Sequence, residues 1–141
     1  MSEMDTVVVD TNIVFSAIHA PNSLIRQRLL TLPNQFVTCN FLFVEIFRHK
    51  ERIFRNSRAT DEEIYDYLEK VLSRISFFNE SLISIENYFR AYHLCKDVDL
   101  KDIAFVALAL ELNAPLWTRD TSLKDGLRLK GFSHFFDDVS E

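Results

Sequence analysis

Four acidic residues, Asp10, Glu45, Asp102 and Asp120, stand where acids are costly unless something meets them. Asp10 ends the run Thr6-Val7-Val8-Val9, whose successive β-branched residues read as a short strand covered on both faces. A carboxylate at such a strand end lies where open α/β sheets gather their ligands. It needs hydrogen-bond donors or a cation to offset its burial. Glu45 sits in Phe41-Leu42-Phe43-Val44-Glu45-Ile46-Phe47, among large apolar neighbours, and glutamate is rarely buried without a partner. Asp99 and Asp102 open a helix that is apolar almost all round, and Asp120 follows Leu116-Trp117-Thr118-Arg119 at another strand end.

Each acid also has a bland explanation. Asp10, Asp99, Asp102 and Asp120 suit helix caps, Asp99 better than Asp102, since aspartate is favoured there by its geometry and by the macrodipole. Glu45 can pair with Arg48 or His49 on the next turn, and Asp97 reads as solvated charge. Taken together, acids gathered at one place repel one another, and a divalent cation removes that repulsion. Hard carboxylate oxygens suit Mg²⁺ or Mn²⁺. Such an ion lowers the pKa of a bound water and neutralises charge developing on a phosphate. No side-chain nucleophile is offered: the sequence has no GxSxG and no Cys–His arrangement, and it has no glycine-rich nucleotide loop. Aspartyl-phosphate chemistry needs a second acid two residues after the first, and that position is Asn12.

These acids must be positioned by short strands alternating with helices. Strands are expected at 6–10, 35–38, 75–78 and 115–118, with an edge strand at Phe135-Phe136. Helices are expected at Asn12–Ala20 (stopped by Pro21), Leu24–Leu32 (capped by Ser23), Phe41 to Phe54 (capped by Asn40) and Ile85–Lys96. A further helix runs Ile103–Leu112, closed by Asn113, and another Leu123–Leu129, ended by Gly131. Thr60-Asp61-Glu62-Glu63 is a capping box that opens a helix to Ser73. Tyr88, Phe89, Tyr92 and Leu94 are the expected apolar face of the 85–96 helix. The alternation implies an α/β fold, a parallel sheet of about four to five short strands wrapped by helices.

Bulk composition agrees. The chain has 141 residues, the size of one ordinary domain, and residues 1–141 read as a single unit. Its 48% hydrophobic content, with 13 Phe, excludes disorder. The formal charge of -5 argues against a protein that coats nucleic acid by global positive charge. Cys39 and Cys95 form no CxxC pattern and read as buried thiols in a reducing interior. No apolar run suits a signal peptide or membrane span, so a cytoplasmic protein is expected.

Val7-Val8-Val9-Asp10-Thr11-Asn12, Glu45 after the second strand, Asp99-Leu100-Lys101-Asp102 before an apolar helix and Leu116-Trp117-Thr118-Arg119-Asp120 occur in that order. Together they resemble the PIN-domain nucleases, over nearly the whole chain. The resemblance implies a three-layer α/β/α sandwich and Mg²⁺- or Mn²⁺-dependent cleavage of single-stranded RNA. It implies that Asp10, Glu45, Asp102 and Asp120 are catalytic metal ligands, joined by Asp99, with Asn12 and Thr118 steadying the first and last acids. Many bacterial members are homodimeric toxins of toxin–antitoxin pairs, which adds an antitoxin protein to the expected partners, while others process RNA. The segment from Arg55 to Ser81 is longer than in the shortest toxins. The alternative is a catalytically inactive PIN-like module that binds RNA or protein.

Arg48, Lys50, Arg52 and Arg55, with His49 among them and Arg58 beyond, form the dense basic stretch. They follow Glu45 on one helix, so they could lead a phosphate backbone to the acids; the bland reading is a solvated helix end. Arg119 is a further phosphate contact by position. Phe41, Phe43, Phe47, Tyr65 and Tyr67 exceed what one small core needs, and so are candidates for a dimer or antitoxin surface.

Overall fold

A computed structural model describes residues 5–19, 23–56 and 59–136; Ala20, Pro21 and Arg58 lie outside the described residues. Four parallel strands, β1 (Thr6–Val9), β2 (Gln35–Cys39), β3 (Ile75–Phe78) and β4 (Leu116–Trp117), form one sheet in the order β3-β2-β1-β4. The expected edge strand is a single parallel bridge, Phe135 against Leu116.

Side chains alternate across a strand, and this divides the core. Val7 and Val9 pack on one face of the sheet against α1 (Thr11–His19), α2 (Leu24–Thr31), α3 (Phe41–Asn56) and α4 (Asp61–Arg74). Val8 packs on the other against α5 (Ile85–Cys95), α6 (Ile103–Leu112) and α7 (Thr121–Leu129). The result is the expected three-layer sandwich.

Local chemistry sets the boundaries. The Ser23 hydroxyl accepts from the Arg26 amide at 3.1 Å, and both arms of the Thr60–Glu63 capping box close. Asn113 stops α6 in the left-handed region, φ 49°, a conformation asparagine tolerates better than most residues. Gly126 permits α7 to lie against Val98, where a Cβ would come within 2.7 Å of a Val98 methyl carbon.

Two expectations about apolar faces need correction. On α5 the buried residues are Ala91 and Cys95, while Phe89 and Tyr92 are exposed; small side chains allow the close packing of α5 on α6 that large rings would block. On α3, Leu42 and Ile46 are buried, but Phe43, Val44 and Phe47 face solvent. That helix is therefore two-sided rather than sunk in the core. Cys39 and Cys95 are free and buried, and burial pushes both thiols up to about 12, away from the reactive thiolate form.

Candidate active site

The order β3-β2-β1-β4 runs outward in opposite senses from β1, so the chain reverses direction between β1 and β4. Open α/β sheets form their ligand crevices beyond the strand ends at such a point. Asp10 follows β1 directly, and its amide donates to the Trp117 carbonyl of β4 at 3.3 Å. Asp120 lies three residues past β4. The two strands thus deliver one acid each to the same crevice.

Three of the acids satisfy their capping role with a single oxygen. Asp10 Oδ1 accepts from the Ile13 amide at 3.0 Å, which starts α1 one residue earlier than expected. Asp120 Oδ1 accepts from the Leu123 amide at 3.0 Å, and Asp99 Oδ1 from the Lys101 amide at 2.9 Å. A carboxylate has two oxygens and about four lone-pair sites, so a cap leaves capacity for something else. Asp102 heads α6 after a short 3-10 turn, Leu100–Asp102, and makes no side-chain cap bond.

One carboxylate oxygen from each of Asp99, Asp102 and Asp120 lies within 4.8 Å of the others. Asp10 is buried beside them, and its Oδ2 is fully buried with no hydrogen-bond partner among the described residues. Burial pushes its carboxyl up to about 6; the nearby Thr118 hydroxyl and the Ile13 and Asn12 amides pull it partly back, and Asp120 opposes them. Asp102 is pushed up to about 7, first by burial and then by the charges of Asp10, Asp99 and Asp120. These are the marks of acids crowded together without enough compensating positive charge. The donor set is all carboxylate oxygen, and an orphaned buried oxygen points to a missing partner. Both features fit a hard divalent cation.

A cleft of about 440 Å³ opens over this group. It is lined by all four aspartates, and also by Glu45, Arg48, His49 and Arg52 from one face of α3. Glu45 stands apart from the tight trio: its Oε2 is paired with Arg48 Nη1 at 3.2 Å. The i, i+3 pairing and the place at the cleft therefore coexist. Thr118 is buried and its hydroxyl accepts from the Asp120 amide at 3.2 Å, whereas the Asn12 side chain is exposed at the rim.

The basic residues separate. Arg48 and Arg52 line the cleft; Lys50 and Arg55 line a different depression with Phe54, Asp61 and Tyr65, because they fall on another side of α3. Arg119 is exposed and does not line the cleft. Asp97 is ion-paired with Lys130 at 2.9 Å on the surface. Sequence reasoning missed Lys101, Thr11 and Phe15 as lining residues. Helical spacing from Thr11 to Phe15 was the available signal for the last of these.

A family model described as PIN domain matches residues 8–134. The chain belongs to the PIN-domain family. Two solved structures share this PIN fold. One is a crystal structure of VapBC2 from Rickettsia felis bound to a DNA fragment from its promoter. It has a TM-score of 0.58 and 20% identity, over 85% of this chain and 92% of that one. The other is a toxin–antitoxin complex from Klebsiella pneumoniae, with a TM-score of 0.57 and 20% identity, over 82% and 87%. No curated protein matches the chain. No described helix is long and apolar enough to cross a membrane.

Proposed function

We propose that this PIN domain is a Mg²⁺- or Mn²⁺-dependent endoribonuclease of the cytoplasm that hydrolyses single-stranded RNA, and that it is the toxin of a toxin–antitoxin pair. The observation that carries the reading is the acid cluster at the β1/β4 switch point, with Asp10 Oδ2 buried and unpartnered and the Asp102 carboxyl pushed up to about 7. Membership of the PIN family supports the nuclease chemistry. The toxin assignment is supported by the two similar structures, one of VapBC2 on its promoter DNA and the other a toxin–antitoxin complex.

In this reading Asp99 and Asp120 would hold the cation through oxygens left over from capping, Asp102 through its uncapped carboxylate and Asp10 through Oδ2, and Glu45 would join from α3. A divalent ion bound there supplies activation of water and neutralises charge developing on the phosphodiester. Thr118 steadies Asp120 through its amide, and Asn12 borders the entrance. Arg48, Arg52 and Lys101 offset the acids at the mouth, where three cations meet five carboxylates and would meet backbone phosphates. Phe43, Phe47, Ile85 and Phe89 leave exposed apolar surface for a homodimer or an antitoxin.

Cleavage of a mixed set of RNAs by the wild type and Asp10→Asn, with Mn²⁺, Mg²⁺ or EDTA, tests the reading. Metal-dependent cutting in the wild type that disappears in the variant is expected. Cutting at the wild-type rate by Asp10→Asn would sink the assignment. A wild type that neither cuts RNA nor binds Mn²⁺ would leave a binding module in its place.

A further inference from the structure

The metal reading uses the acids and leaves part of the cleft unexplained. Phe15 from α1 and His49 from α3 both line it, with ring centroids 5.8 Å apart and planes at 86°. Two perpendicular rings make a right-angled corner, and neither offers a ligand for a hard cation in the way a carboxylate does. Phe15 is packed from behind against the buried core of α1 and its neighbours, which holds its ring in place. Arg52 lies one turn beyond His49 on the same face of α3. It is exposed, and it makes no hydrogen bond or ion pair among the described residues, unlike Arg48, which is engaged by Glu45.

An aromatic surface beside an uncommitted cation is the combination that binds single-stranded nucleic acid, the base stacking on the ring and the phosphate meeting the charge. The cleft's volume of about 440 Å³ lies at the small end of the roughly 300–1,000 Å³ range of ligand pockets. It suits a short stretch of strand rather than a duplex. We infer that Phe15 and His49 form a base-stacking subsite that holds one unpaired nucleobase of the substrate beside the acid cluster, with Arg52 on the adjoining phosphate. This inference rests on the ribonuclease reading and adds to it a residue-level basis for single-strand preference: a paired base has no free face to offer.

Because the acids repel RNA when no ion is present, the test uses Asp10→Asn protein in Mg²⁺, with oligouridylates carrying one 2-aminopurine at successive positions. Stacking on a ring quenches 2-aminopurine fluorescence. The expected result is quenching at one position. In the same background, His49→Ala and Phe15→Leu should abolish that quenching and weaken binding roughly five- to hundredfold. His49→Phe should restore both, since it keeps the ring and discards the imidazole nitrogens. Thermal melts of each variant separate a binding loss from a folding loss, and the half-buried His49 keeps the test valid if Phe15→Leu unfolds.

Salt-dependent RNA binding with no quenching at any position would overturn the subsite and leave the nuclease reading standing. Failure of His49→Phe to rescue would overturn stacking in favour of a polar role for His49. Absence of any RNA binding would overturn both readings together. Variants that lose thermal stability but bind and quench normally would reduce the Phe15–His49 contact to packing between α1 and α3.

Discussion

Asp10, Asp99, Asp102 and Asp120 line one side of the cleft, and Glu45, Arg48, His49 and Arg52 line the other, but the two sides hold charge differently. The first side is fixed by backbone: three of its acids are tied to helix-starting amides at 2.9–3.0 Å. Its Asp10 is buried, and two of its carboxyls are pushed well above the ordinary range. The second side is a solvent-facing helix surface whose Glu45–Arg48 ion pair has a 61% exposed arginine. Exposed pairs of that kind are worth about 0–1 kcal/mol and re-form easily. The contrast teaches that a carboxylate can be both a structural cap and a candidate ligand, whereas the exposed arginines of α3 are held by little more than weak surface pairing.

The largest expected effect falls on the fixed side. Asp10→Asn should reduce metal-dependent cleavage on the order of 10²–10³-fold or more, by analogy with loss of one preorganised charge-stabilising group. Alanine in place of Arg48 should cost far less, and initial-rate measurements on both variants compare the two sides directly.

The same acid should shape stability with pH. A carboxyl whose folded pKa is raised from 3.8 to about 6 is protonated more readily in the folded state than in the unfolded one. Its contribution is fully present below about pH 4 and is lost as pH rises through 6. Denaturant unfolding in EDTA should therefore find Asp10→Asn gaining on the wild type across that window, by up to about 3 kcal/mol from the shift alone. Asp102→Asn should show the same sign, with its window reaching about pH 7. A stability difference that does not change between pH 4 and 7.5 would mean the acids are not crowded in the folded protein.

Mn²⁺ should reverse that penalty. At a hundredfold excess over Kd, a ligand that binds only the folded state adds about 2.7 kcal/mol, several degrees in Tm. The wild type should show this rise and Asp10→Asn a smaller one. Gly126→Ala should destabilise by about 1 kcal/mol net, because a clash with Val98 of about 1–3 kcal/mol exceeds the helix-propensity gain of up to about 1 kcal/mol. A chemical-denaturation midpoint that rises instead would show that Val98 gives way easily.

The smallest effect concerns the solvent-facing helix. Arg52→Ala should lower the salt slope of single-stranded RNA binding by about 0.7. Lys50→Ala, Arg55→Ala and Arg119→Ala should leave it unchanged, because those side chains lie away from the cleft. Equal effects from all four would mean that the RNA path follows net charge rather than the cleft.

Much of the fold was legible because it rests on local rules. The β-branched run before Asp10, the capping box at Thr60–Glu63 and the left-handed stop at Asn113 appear where short-range chemistry puts them. The apolar faces of α3 and α5 were less legible. Phe43, Phe47 and Phe89 look like core residues by type, yet which side of a helix meets the sheet is decided by close packing, and on α5 that favoured Ala91 and Cys95. The candidate acids were legible as a set because each breaks the usual rule for burying charge. Lys101 and Phe15 were not, since a lysine in a turn and a phenylalanine in a helix break none.

What the sequence by itself determined is therefore the strand and helix order, the acids and their capping positions, all of which depend on neighbours a few residues away. Tertiary structure alone decided that Asp99, Asp102 and Asp120 bring oxygens within 4.8 Å of one another. It alone buried Asp10 Oδ2 without a hydrogen-bond partner among the described residues, and it turned Arg52 towards the cleft while Lys50 faced elsewhere. Those outcomes depend on the β3-β2-β1-β4 order and on how α3, α6 and α7 lie against it. Such long-range distances and helix rotations follow from packing the whole core at once, and no local window of sequence contains them.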